Sequence, residues 1–274
     1  MKKIFEKVSN WYLDYRYKVH ENAGICFAYY LIMSIFPICS VCAFIASIFN
    51  ADLTLLTTIL NKFLQPEFSS IIVETILNRS TNTTSIVMIF VSVFVVSRGV
   101  NQLYGISKNM FPPSHERTTL LEEIFTIGKT VGVFVLLVLI ILVLTFFPFV
   151  IQSIKTSPHP IVDDIILLCI FFVILFLLYK IVPDAKVHAI DISIGSFTAS
   201  FLLLIVLKVL KLYFSIADYG SVYGPLATVV VIMISFSIVA EVIYLGMYVM
   251  FEKHMLRLVL DMEKQLNISA IRRK

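Results

Sequence analysis

The sequence predicts an all-α, polytopic integral membrane protein of about six transmembrane helices, with amphipathic helices at both termini and in the first outer loop. Three observations carry that prediction. Ala23–Phe49 runs for 27 residues without an acid or a base. A helix rises about 1.5 Å per residue, so about 20 apolar residues cross the hydrocarbon core and this stretch crosses with tilt to spare. The chain is 59% hydrophobic and only 15% charged, with a mean hydropathy of +0.93, whereas soluble domains carry about 25% charged residues. Finally, threading the chain through six spans puts 16 of its 22 Lys and Arg residues on the side of both termini and 5 on the other. That asymmetry places both ends in the cytosol. It also shows that the formal net charge of +4 reflects span ends rather than a nucleic-acid surface.

Residues 1–22 form an interfacial amphipathic arm. Ile4, Phe5, Val8, Trp11, Tyr12 and Tyr15 recur at helical spacing among Lys2, Lys3, Lys7, Arg16 and Lys18, the pattern of a helix lying in the headgroup region. The membrane domain covers residues 23–250. Its first span is a permanent one, because a signal peptide has a shorter apolar core with a small-residue cleavage site soon after it. Pro37 sits mid-span. In lipid the freed carbonyl finds no water, so the spacing predicts a kink rather than a break. Between residues 51 and 84 the chain turns amphipathic on both sides of Pro66, which predicts two short helices on the outer face. Further spans are expected at about 85–103, 127–154, 161–181, 190–214 and 223–250. Residues 251–274 form a basic amphipathic cytosolic tail.

An intramembrane charge is the best lead to chemistry, because it is costly to hold in lipid. Glu241 lies near the middle of the sixth span, between Ala240 and Val242. It is either a proton- or cation-coupling group or a structural carboxyl bonded to a neighbouring helix. Ser237 and Tyr244 share its helical face. Arg98, near the end of the second span, either pairs with it or reaches the cytosolic interface. Before the sixth span, Tyr219-Gly220 and Tyr223-Gly224 precede Pro225. They mark an irregular turn that is either a substrate-side loop or an interfacial turn with its tyrosines in the aromatic belt. Cys39 and Cys42 have redox spacing but lie inside an apolar run with no base nearby, so packing is the reading. The five histidines are scattered with no i, i+4 pair, so no metal site is expected. Phosphate-binding glycine loops and serine-nucleophile motifs are absent from the sequence, and neither a cofactor nor catalysis is expected.

A series of short segments follows in order along nearly the whole chain: Ala28-Tyr29-Tyr30 through Ser34-Ile35-Phe36-Pro37, then Ser97-Arg98-Gly99-Val100-Asn101 through Asn109-Met110-Phe111 and Glu116-Arg117. Tyr179, Pro183-Asp184, Val187, Gly195, Tyr219-Gly220-Ser221, Tyr223-Gly224 and Gly246 complete it. Taken together, these segments resemble the YihY/BrkB family of bacterial inner-membrane proteins. Departures fall at Ser235-Phe236, where the family often carries Trp, and at Met247-Tyr248-Val249, where it often carries an acid and an Asn. Glu241 is not part of the pattern. The resemblance implies a multi-pass protein of the bacterial cytoplasmic membrane, belonging to a group of transporters or envelope-maintenance proteins. An old ribonuclease BN label attached to some members finds no support here, since a metal-dependent nuclease needs clustered carboxylates or histidines.

Two functional classes follow. One is a transporter or flippase-like protein for an ion, small solute or lipid-linked molecule, with Glu241, Arg98, Asn101, Tyr219, Gly220, Tyr223 and Gly224 as its candidate polar sites. The other is a non-catalytic envelope-maintenance or scaffold protein acting through its two amphipathic ends. The partners expected are the lipid bilayer and an unknown solute, ion or lipid, with no nucleic acid. The sequence leaves the substrate and the oligomeric state open.

Overall fold

The computed structural model describes residues 2–34, 84–111, 128–133, 135–136, 160–216 and 225–272. Every regular element among them is helical. They are α1 (Lys2–Lys18), α2 (Ala23–Ser34), α3 (Thr84–Met110), α4 (Pro160–Ile181), α5 (Ala189–Ile216) and α6 (Pro225–Arg272), with residues 128–133 and 135–136 also helical. Three of the described helices contain stretches long and apolar enough to cross a membrane: Asp164–Ile181, Ala189–Tyr213 and Val230–Leu266. Pro37, the paired helices expected at 51–84, most of the span expected at 127–154 and the Tyr-Gly turn at 219–224 lie outside the described residues.

The chain falls into two compact units. One comprises Met1–Ile25, Leu103–Glu116 and Asp164–Lys274; the other comprises Cys26–Gln102 and Arg117–Asp163. In the second, α2 and α3 meet where Gly99 leaves room for Tyr30. A Cβ at Gly99 would stand 3.1 Å from that of Tyr30.

In the first unit, α5 and α6 pack through small residues. A Cβ at Gly195 would stand 2.6 Å from the Gly246 carbonyl oxygen and 2.7 Å from the Met250 Cβ. Close backbone approach of this kind substitutes for the hydrophobic effect between helices in lipid. Ser196 and Ser200 are buried on the same face and donate to the carbonyls of Ile192 and Ser196, at 2.8 and 2.6 Å, within their own helix. Their hydroxyls therefore ask nothing of the neighbouring helix. Tyr179 of α4, fully buried, donates to the Ile243 carbonyl at 2.6 Å. Its hydroxyl occupies the notch left by Gly246. Three of the separated family-pattern positions, Tyr179, Gly195 and Gly246, thus form one packing node. In the same unit, Tyr104 of α3 donates to the Asp184 carboxylate in the loop after α4.

α6 runs unbroken for 48 residues. The expected boundary at residue 250 is not a break in the helix. Residues 247–272 contain neither Gly nor Pro and are rich in Met, Leu, Lys and Glu, so nothing stops helix propagation when the apolar character declines.

Candidate functional site

Polar side chains of α1 and α6 meet along one stripe of α6. Glu241, Tyr248 and Glu252 follow at spacings of seven and four, which places them along one helical face. α1 crosses that face. Tyr15 donates to the Glu241 carboxylate at 2.8 Å, and the Arg16 guanidinium stands 3.4 Å from the other carboxylate oxygen. Tyr248 donates to Asp14 at 2.6 Å, and the Trp11 indole N–H donates to Glu252 at 3.1 Å. The aromatic rings close the seam: Trp11 and Tyr15 each meet Tyr248 edge-on, with centroids 5.3 and 5.4 Å apart.

The arm helix forms because Lys2–Lys18 contains neither Gly nor Pro, and its orientation follows from what each side chain can bury. Phe5, Val8, Leu13 and Tyr17 remain exposed, while Tyr15 is only 3% exposed. Burial, reinforced by the hydrogen bond to Glu241, pushes the Tyr15 phenol well above its ordinary range. It therefore acts as a fixed donor to the Glu241 carboxyl group.

Arg16 is held from several sides. Its Nε donates to the Tyr12 hydroxyl at 2.9 Å, and its guanidinium carbon lies 5.4 and 5.7 Å from the ring centroids of Tyr12 and Tyr15. The bond to Tyr12 raises its pKa first; partial desolvation opposes this, and the Glu241 carboxylate then adds to the rise. Arg16 and Glu241 are each 30% exposed, so water screens the pair and its contribution is about 1 kcal/mol or less. Gly24 completes the site from α2. A Cβ there would stand 2.8 Å from Glu241 Oε1 and 2.9 Å from its Cγ, so only glycine leaves the carboxylate where it is.

Of the residues singled out from sequence, Glu241 lies at the centre of this seam, and its described polar partners come from the arm rather than from a membrane-spanning helix. Arg98 is exposed in α3, its guanidinium carbon 5.1 Å from the Phe94 ring centroid, and Asn101 is exposed on the same helix. Tyr219, Gly220, Tyr223 and Gly224 lie outside the described residues.

A second polar cluster was not anticipated. Asp191, in the first turn of α5, is 1% exposed and accepts a bond from Arg257 of α6 at 2.7 Å, with His254 Nδ1 3.7 Å away. Phe111 packs edge-on against Phe251 and lies 5.9 Å from the His254 ring. This ties the α5 N-terminus to the extension of α6. No group of three or more His, Cys, Asp and Glu side chains able to hold a metal occurs among the described residues.

Searches of curated proteins and of solved structures found no match. A family profile described as "Virulence factor BrkB" matches residues 19–262. That range takes in Glu241, Asp191 and Arg257 and the Tyr179–Gly195–Gly246 node, while Tyr15 and Arg16 precede it. With the profile running from the start of the first apolar stretch into the α6 extension, this chain belongs to the BrkB virulence-factor family, the one its separated motifs resemble.

Proposed function

We propose that the protein is a multi-pass transporter or flippase-like protein of the bacterial cytoplasmic membrane, moving an ion, small solute or lipid-linked molecule, with both termini in the cytosol. The observation that carries this reading is the state of Glu241. A carboxylate in an apolar helix is 30% exposed and is bonded to Tyr15 and Arg16 of the arm, so it stays within reach of water and of a passing ligand. The Lys and Arg asymmetry supports the orientation.

The test is flux through vesicles reconstituted with purified protein, scanned across ions, small solutes and labelled lipids. Glu241→Gln keeps the shape and one acceptor for Tyr15 but cannot ionise. Loss of a protein-dependent flux in this variant, with retained helicity, is the expected result. Flux through Glu241→Gln equal to that of the parent chain would remove Glu241 from the path.

The scaffold reading has one observation in its favour: the arm is bonded to α6 at three points, Tyr15–Glu241, Asp14–Tyr248 and Trp11–Glu252. A protein with no flux for any tested cargo, and an arm that is never released, would favour it.

A further inference from the structure

The surroundings of Arg16 have the chemistry of a receptor for an organic cation. Two tyrosine rings lie within about 6 Å of its guanidinium carbon, the range over which a ring face attracts a cation. The Tyr12 hydroxyl accepts a bond from Nε, and the Glu241 carboxylate supplies the counter-charge. Gly24 keeps open the space in which that carboxylate sits. Trp11 and Tyr248 extend the aromatic wall behind Tyr15. Such a set suits a weakly hydrated, delocalised or alkylated cation. A hard metal ion is poorly served, because it asks for about six or more oxygen ligands, and the groups immediately around Arg16 are one carboxylate and two phenols.

We propose that this seam binds an organic ammonium or guanidinium cation, and that Arg16 is the intramolecular occupant the ligand displaces. Both cations present a diffuse positive charge to the tyrosine faces and the same counter-charge to Glu241. Displacement frees the Arg16 side chain to reach solvent, which its 30% exposure already allows. The inference deepens the transport reading by naming a substrate class, and rests on that reading only for the onward movement of the cation.

The chain contains a single tryptophan, and it stands in this seam, so the emission of Trp11 reports on the site directly. The full-length protein in detergent would be titrated with tetramethylammonium and methylguanidinium chlorides at constant ionic strength, with sodium chloride as the control. The expected result is a saturable change in emission. Arg16→Gln should tighten it by roughly tenfold, because the internal competitor is gone. Arg16→Lys, which keeps the charge and guards against loss of the arm, should lie between. Adding Glu241→Gln to Arg16→Gln should abolish saturation. A response identical with sodium chloride would overturn the proposal, as would equal affinities in the parent and Arg16→Gln, or unaltered binding without the Glu241 charge. Saturable binding with no flux in vesicles would keep the site and sink the transport reading. Flux with no saturable binding would do the reverse.

Discussion

Replacing Gly246 by Ala sets two effects of opposite sign against each other. In a helix interior, Ala is intrinsically favoured over Gly by about 1 kcal/mol. At this position, however, the new Cβ would stand 2.5 Å from the Ala199 Cβ and 3.0 Å from the Gly195 carbonyl oxygen, and would crowd the Tyr179 hydroxyl. Two of those three neighbours are a Cβ and a backbone oxygen, which move only if a helix moves. Overpacking of this kind costs about 1–3 kcal/mol. Displacing Tyr179 from the Ile243 carbonyl forfeits about 1 kcal/mol more. The net expectation is destabilisation of about 1–3 kcal/mol. Gly105 supplies the control: it lies in α3, and a Cβ there meets nothing within 4 Å. Gly105→Ala should therefore stabilise by about 0.5–1 kcal/mol. The assay is SDS-driven unfolding in mixed micelles, followed by far-UV circular dichroism. Should Gly246→Ala unfold at the same or a higher SDS fraction than Gly105→Ala, the close-packed node is wrong.

At the Asp191 cluster the two partners are unequally buried, 1% against 33% exposed. Arg257→Ala, which strands a buried carboxylate, should therefore destabilise by about 2–4 kcal/mol, more than Asp191→Ala at about 1–2; the same unfolding assay ranks them, and the reverse order would contradict the assigned burial. The phenol of Tyr15 is raised in the folded chain, so its contribution is complete below the unfolded value of about 10 and is lost as pH climbs above it. Release of the arm, followed by trypsin cleavage at Arg16 and Lys18, should accelerate in that alkaline window, and Tyr15→Phe should flatten the pH dependence; an unchanged slope in Tyr15→Phe would assign the effect elsewhere. Reporter fusions placed after Lys155 and at the C-terminus should report opposite sides of the membrane, and the same side for both would dismiss the six-span topology.

What was legible in the sequence follows from how lipid constrains a chain. Long apolar runs are needed to satisfy backbone polar groups in the bilayer, so α4, α5 and the apolar part of α6 stand out by length and composition alone. Glu241 was legible for the same reason, as a lone acid in such a run. Its partners were not. Tyr15 and Arg16 lie more than two hundred residues away in the chain, in a segment whose aromatic spacing reads equally well as a lipid-facing stripe. Asp191 and Arg257 gave no local signal either, since an acid in the first turn of a helix and a base within a basic helical extension are both ordinary. At residue 250, where the reading ends the membrane domain, the helix simply continues. A fall in hydropathy marks where lipid ends, not where a helix ends, and only the lack of Gly or Pro from 247 onward could have told them apart.

The unbroken α6 also makes a lever. The 32 residues from Glu241 to Arg272 extend about 46 Å. A tilt of roughly 5° pivoting at the carboxylate would carry the far tip sideways by about 4 Å. The Arg257–Asp191 contact lies partway along that arm, where a bond of 2.7 Å tolerates little travel. Any event at the seam that rocks the rod must therefore either bring the start of α5 along with it or snap that tether, so the distant end registers what happens at Glu241 without a ligand of its own.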